Sequence, residues 1–245
     1  VYAHGYRALA EGADADVFVL LGHARSTPDA LFTATTLDYD TPLGRLPTDR
    51  DVLEKVRAGY GDRLFTDELV HRDESVLELQ ALWLRHLFPD RPITVVPVLC
   101  SSLYGCAAQG VRPEALPEVE AFTQALLAAL AGRKACIVAA GDLSHIGAAF
   151  GDPGAPDQGI LASLAAADQA SLGRAAALDA DGFFDDVGRD ANTRRIGALT
   201  PAYMLLKLLR EQGLPATGHV LAYQQWFGQA EQSAVSFAAA AFVAP

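Results

Sequence analysis

Three short runs along the chain are continuously apolar: DVFVLL (16–21), ITVVPVL (93–99) and ACIVAA (135–140). Each is built of β-branched or small apolar residues and stops at Gly or a polar residue, the pattern of strands covered on both faces. Between them the period lengthens. DESVLELQALWLRHLF (73–88) is apolar at 76, 77, 79, 82, 83, 84 and 87. PEALPEVEAFTQALLAALAG (113–132) opens acidic, turns apolar and ends in Gly. Both predict helices, as do 157–177 and 199–212. TGHVLAYQQW and SAVSFAAAAFVA near the end predict two more strands, a hairpin or adjacent pair. FTATTLDY (32–39) and LFTDELV (64–70) are candidates for extra strands or edge pieces. Strands alternating with helices specify an α/β fold, a three-layer sandwich with a largely parallel mixed sheet flanked by helices. The turn-rich FGDPGAPDQG (150–159) is the longest loop signal, but core-like segments flank it, so one α/β domain over 1–245 is expected. The chain opens without Met on what reads as the middle of a helix, from which residues upstream of Val1 are expected.

Composition narrows the partners. With 245 residues, 51% of them hydrophobic, the chain can bury its own core. A net charge of −11 without clustered Lys or Arg argues against nucleic acid or an anionic membrane surface as partner. No stretch approaches the ~20 apolar residues that span a bilayer, and nothing reads as a signal peptide. Cys100, Cys106 and Cys136 are an odd set with no CxxC, and Cys136 lies inside an apolar run. That pattern fits reduced thiols in a cytoplasmic compartment.

The chemistry collects at strand ends. In an α/β sheet, ligands bind beyond the carboxyl ends of the strands. After 16–21 come Gly22, His23, Ala24, Arg25 and Ser26; after 93–99 come Cys100, Ser101 and Ser102; after 135–140 come Gly141, Asp142, Leu143, Ser144 and His145. If the three strands are neighbours, these loops share one rim. Imidazole and carboxylate together can bind a divalent transition metal, or act as an acid/base pair in which the Asp orients the His. Asp142 and Ser144 could instead cap a following helix. Arg194 or Arg195, in GRDANTRR, could be brought to an anionic ligand. His71 is a weaker candidate, and His4, His86 and His219 read as surface or structural. No Walker loop, GxGxxG, GxSxG or HExxH is present.

Five stretches in order carry a family resemblance: VFVLLGHARS, LDYDTPLGRLPTD, FTDELVHRDESVLELQALWL, ITVVPVLCSS and AAGDLSHIG. RRIGALTPAYMLLKLL and SAVSFAAAAF continue it. Together they resemble the Memo family, including AmmeMemoRadiSam system protein B, related in fold to LigB-like class III extradiol dioxygenases. The Thr-Pro-Leu-Gly segment and the Asp-x-x-His signature are its most specific motifs. The resemblance implies a redox-active iron or copper site of two His and one Cys. One of those His precedes the first helix and lies outside this sequence. His23 is the candidate for the second, in a turn one or two residues short. The Ile-Cys-Gly motif that supplies the Cys is here Ile196-Gly197-Ala198, and the His of Glu-His-Ser is gone, since Ser75 follows Glu74. Asp142 and His145 match.

The expected protein is therefore a cytoplasmic, Memo-like chain with a rim site of His23, Asp142 and His145, of redox-metal or dioxygenase-like ancestry and with a degenerate metal site. Iron or copper, where held at all, would sit on His23 and His145. A non-enzymatic binding module with a pocket for a small molecule or peptide is an alternative, as is a LigB-type extradiol dioxygenase drawing a carboxylate from Asp142 or Glu74. The resemblance also implies radical-SAM system proteins as partners.

Overall fold

The computed structural model describes residues 1–26, 28–189, 191–213 and 215–244. Its chain order opens with α1 (Tyr2–Gly12), β1 (Val17–His23), β2 (Phe32–Ala34), β3 (Tyr39–Thr41), β4 (Gly44–Leu46), α2 (Arg50–Tyr60) and α3 (Ser75–Leu87). There follow β5 (Thr94–Cys100), α4 (Tyr104–Gln109), α5 (Pro117–Leu130), β6 (Ala135–Ala140) and β7 (His145–Gly147). The last elements are α6 (Gln158–Ala176), α7 (Ala180–Gly188), α8 (Leu199–Gln212), β8 (Thr217–Gly228) and β9 (Ser233–Val243).

The central sheet has the order β2-β5-β1-β6. β1 runs parallel to both β5 and β6, and β2 closes one edge antiparallel to β5. β1 shows why its sequence is uninterruptedly apolar. Successive side chains alternate between faces, so Val17, Val19 and Leu21 enter one core while Phe18 and Leu20 enter another. The first core is filled from α2, α5, α7 and α8 by residues such as Val52, Phe122, Phe183 and Tyr203. The second takes Tyr6 from α1 and Leu77, Ala81 and Leu84 from α3. The layered α/β architecture with a mixed, largely parallel sheet is thus the one expected. No helix among the described residues is long and apolar enough to cross a membrane.

The final two strands pair antiparallel as a hairpin, and β7 adds to them in the order β7-β9-β8. Of the two candidate extra strands, 32–39 supplies β2, whereas 64–70 forms 3-10 turns over Asp62–Phe65 and Glu68–Asp73. The turns arise because Glu68 folds back, its Oε1 accepting from Thr35 Oγ1, Thr36 N and Thr36 Oγ1 at 2.6–2.9 Å. All three cysteines are free thiols, and burial pushes Cys136 up to about 11.

Candidate functional site

The register of the sheet brings the strand ends together. Gly22 lies opposite Ala140 and His23 opposite Cys100, so the segments leaving β1, β5 and β6 emerge on one edge. Glycines let neighbours close on that edge. A Cβ on Gly22 would sit 2.5 Å from Leu77 Cδ2, and one on Gly141 would sit 2.8 Å from Ala198 Cα. The start of α8 therefore presses against the end of β6, and Ala198 N donates to the Asp142 carbonyl at 2.8 Å.

Gly197, one residue earlier, faces His23 directly. A Cβ there would lie 3.1 Å from His23 Cδ2, 3.6 Å from His23 Nε2 and 3.5 Å from the Asp142 carbonyl oxygen. His23 and the Asp142 backbone thus flank one glycine. Burial lowers the His23 pKa, with the electrostatic influence of Glu74, Arg25, His145 and Asp142 superimposed on it. Its Nδ1 is buried without a hydrogen-bond partner among the described residues.

His145 is held differently at its two nitrogens. Nδ1 lies 3.0 Å from the Arg195 carbonyl, which can only accept, so Nδ1 carries a proton. Nε2 faces Asp142 Oδ2 at 3.6 Å. Burial alone would lower the His145 pKa; Asp142 and the Arg195 carbonyl overcome it, and the net shift is upward. Asp142 shifts downward, chiefly through its interaction with His145, against its own desolvation. The ring also meets Phe150 edge-on at 5.0 Å.

Two buried acids hold the loops of the site. Glu74, considered above only as a metal-binding carboxylate, is buried. Its Oε1 accepts from Arg25 N, Ser26 N and Ser26 Oγ, each at 2.8 Å, and so anchors the segment after His23. Asp168 on α6 is fully buried and accepts from Ser144 Oγ at 2.5 Å, Ser236 Oγ at 2.5 Å, Tyr223 Oη at 3.0 Å and Arg194 Nη1 at 3.2 Å. The available signal was its place in a stripe with Leu164, Ser171, Leu172 and Ala175, all buried on α6.

Of the two candidate arginines, one is buried and the other is tied to Asp152 at the edge of the site. Arg194 is buried against Asp168 and Asp186. Arg195 grips Asp152 with Nη1 at 3.2 Å and Nη2 at 2.6 Å, and also donates to the His145 carbonyl. The segment carrying them is strained, with Ala191, Asn192 and Arg195 all at φ of 52–53°. Asp190 of that stretch lies outside the described residues. His71 is buried with Nε2 2.9 Å from the Thr33 carbonyl, a structural contact, while His4, His86 and His219 are exposed.

Beside the couple opens a cleft of about 780 Å³ whose lining includes His23, Ser102, Tyr104, Thr193, Arg195 and Gly197. Asp142 and His145 are not among its lining residues; Gly197 and Arg195 touch both the cleft and the couple. For the iron or copper that the resemblance implies, the donor set is short. Gly197 stands where the resemblance implies a Cys, and among the described residues no group of three or more His, Cys, Asp or Glu side chains is placed to hold a metal ion. The described residues alone do not supply the three donors that the resemblance implies.

The profile of the Memo-like protein family matches residues 1–241. A MEMO1 family protein of Aquifex aeolicus is 28% identical over 242 residues, 99% of this chain and 59% of that protein. One from Thermus thermophilus is 29% identical over 225 residues, 91% of this chain and 61% of that protein. One from Methanosarcina barkeri is 28% identical over 145 residues, 59% of this chain and 49% of that protein. The chain thus spans about three-fifths of the length of the Aquifex aeolicus and Thermus thermophilus proteins.

Proposed function

The chain belongs to the Memo-like protein family, and from that premise we propose that its strand-end rim is a small-molecule site operated by proton transfer. In this reading His145 takes and returns the proton at Nε2, and Asp142 stabilises the charged ring. The observation that carries it is the unequal treatment of the two ring nitrogens. With Nδ1–H committed to the Arg195 carbonyl, Nε2 is the nitrogen at which the neutral ring takes up a second proton, beside the Asp142 carboxylate. A proton arriving there forms an ion pair, which is what a general base near neutral pH requires.

The ligand enters the cleft that His23 and Gly197 border, a volume within the range of small-ligand pockets. Ser102, Tyr104 and Thr193 offer hydroxyls, and His23, kept neutral by burial, offers one donor or acceptor. Iron or copper is proposed to bind weakly, because a soft thiolate bond is missing where Gly197 stands. Free thiols fit the reducing cytoplasm in which we place the protein.

A second reading, a binding module without turnover, draws on one observation: Asp142 and His145 stand next to the cleft rather than in its wall. An extradiol dioxygenase draws less support, since Glu74 Oε1 already accepts three hydrogen bonds.

The deciding experiment is a thermal-shift screen of small organic acids and phenols in the presence of a chelator. It uses wild type, His23→Gln and His145→Gln. The expected result is a ligand that stabilises wild type without added metal and is weakened at least about tenfold in His23→Gln, the loss of roughly one hydrogen bond. Chemical conversion of that ligand by wild type but not by His145→Gln establishes turnover; retained binding with no conversion in either selects the binding module. Ligands that act only after iron or copper is added overturn the proposal.

A further inference from the structure

We infer that Asp168 is the positioning residue that fixes which nitrogen of His145 carries the proton. The inference deepens the reading of His145 as the proton-handling group and rests on it for its functional meaning. The geometry behind it is a knot with Asp168 at its centre.

Two chain segments must be held for Nδ1 of His145 to meet a carbonyl. The first is the turn that carries the ring. Its residue 144 is tied from three sides: Ser144 Oγ donates to Asp168 Oδ1 at 2.5 Å, Ser144 N donates to Ser236 Oγ at 3.0 Å, and Ser236 N donates to the Ser144 carbonyl at 2.9 Å. Ser236 Oγ in turn donates to Asp168 Oδ2 at 2.5 Å. The second is the segment that supplies the carbonyl. Arg194 is drawn inward by Asp168 Oδ1 at 3.2 Å, and its own carbonyl accepts from His145 N at 2.7 Å. The next carbonyl, that of Arg195, accepts from His145 Nδ1 at 3.0 Å.

One carboxylate therefore fixes both the ring's own turn and the acceptor opposite the ring. Every partner of Asp168 here is a donor: three hydroxyls and a guanidinium. An amide in its place can accept on one side only, so its N–H₂ group would face either the Arg194 guanidinium, which cannot accept, or hydroxyls that would have to turn and stop donating to it. The 191–195 segment would feel the loss first, because three of its residues sit at positive φ without being glycine and depend on their surroundings to stay there.

The test reads the tautomer directly, by long-range ¹H–¹⁵N correlation of the His145 ring above its titration range, so it needs no ligand. Wild type should show Nδ1–H as the dominant form. Asp168→Asn should shift the ratio toward Nε2–H by roughly tenfold, the equivalent of one ordinary hydrogen bond. Tyr223→Phe removes a donor to Asp168 that reaches the ring's turn only through Ser236, and should move the ratio far less than Asp168→Asn while lowering stability. Should Asp168→Asn fail to fold, Ser144→Ala carries the test with a smaller shift in the same direction. A folded Asp168→Asn, or in its absence a folded Ser144→Ala, with the wild-type ratio overturns the inference. So does a shift in Tyr223→Phe as large as theirs, since the effect then reports general loosening. A shifted ratio with no ligand found in the screen above would keep the inference and discard the proton-transfer function.

Discussion

His145 Nε2 and Asp142 Oδ2 face each other at 3.6 Å across a turn of three residues, and they differ sharply in exposure: 20% of the His145 side chain is open to solvent against 46% for Asp142. The imidazole is thus the sheltered member and the carboxylate the wetter one. An acid/base group benefits from that asymmetry, because the ring keeps a defined orientation while the carboxylate stays charged at low energetic cost.

The pair sets a pH dependence of stability. The folded-state pKa of His145 lies above its ordinary value, so its contribution is fully present below about 6.5 and is lost as pH rises through the raised folded value. The folded-state pKa of Asp142 lies below the ordinary carboxylate value, so its contribution is present above about 3.9 and is lost as pH falls through the lowered value. Asp142→Asn should therefore destabilise the protein most between those limits, near pH 5–6, and little above the His145 titration. With Asp142 nearly half exposed, solvent screening keeps the effect at or below about 1 kcal/mol. Urea denaturation at pH 5.5 and pH 8.5 measures it, and an equal loss at both values would contradict the ion-pair account. The His145 titration midpoint, read by NMR, should fall in the same variant.

Glu74 predicts a larger effect by a different route. Its buried Oε1 accepts two backbone N–H groups and a hydroxyl, so Glu74→Ala leaves donors of Arg25 and Ser26 without their acceptor. Leaving such donors unsatisfied costs about 1–3 kcal/mol. Glu74→Gln retains a carbonyl acceptor and should cost less than half as much. Hydrogen exchange at Arg25 and Ser26 should accelerate in Glu74→Ala to a greater extent than in residues of β1. Comparable stability of the Ala and Gln variants would show that the segment after His23 is held by something other than Glu74.

The strand ends were legible because a buried parallel strand leaves a plain mark: VFVLL is apolar on both alternating faces and then breaks at Gly22-His23. The same mark placed Asp142 and His145 after β6, whereas a shared rim depended on the three strands being neighbours, which the pairing of β1 with β5 and β6 supplies. Asp168 was not legible, for a reason of range. Its place in the stripe of QGILASLAAADQASLGRAA marks it as inward-facing but not what it touches, since its partners Ser144, Arg194 and Ser236 lie 24, 26 and 68 residues away. Nothing local distinguishes Arg194, which turns inward, from Arg195, which grips Asp152 at the surface. LFTDELV misleads in the opposite sense. Its local pattern suits a strand, but the pull of Glu68 on Thr35 and Thr36 winds it into turns.

Arg194 tests the buried knot from its cationic side. Its side chain is 9% exposed, pairing with Asp168, which is fully buried, and with Asp186, at 11%. Arg194→Leu removes the charge and leaves both carboxylates in low dielectric, where breaking a buried pair costs roughly 3–5 kcal/mol. Because Asp168 also holds Ser144, the loss should reach the site: the His145 resonances should broaden or shift while those of His86, on the opposite helical layer, stay put. Guanidinium denaturation gives the first quantity and NMR the second. A loss under about 1 kcal/mol would mean that the carboxylates find water or other partners on their own.

Gly197 offers the sharpest test of whether a thiolate would give the rim a metal. A Cβ at this position would sit 3.1 Å from His23 Cδ2, tighter than ordinary contact but against a side chain that can rotate. Gly197→Ala should therefore displace the His23 ring at a cost of about 1 kcal/mol, the low end for overpacking. Gly197→Cys adds a donor as well as bulk. Bonds of about 2.3 Å to sulfur and 2.0–2.1 Å to nitrogen put the two ligand atoms of a tetrahedral ion roughly 3.5 Å apart. A Cβ 3.6 Å from His23 Nε2 allows the sulfur to reach that separation. Cobalt(II) added to Gly197→Cys should give a thiolate charge-transfer band that neither wild type nor Gly197→Ala shows, and His23→Gln in the Cys background should remove it. If wild type binds cobalt, iron or copper as tightly as the cysteine variant, the missing thiolate is not what limits the site, and the metal-free account of the rim fails with it.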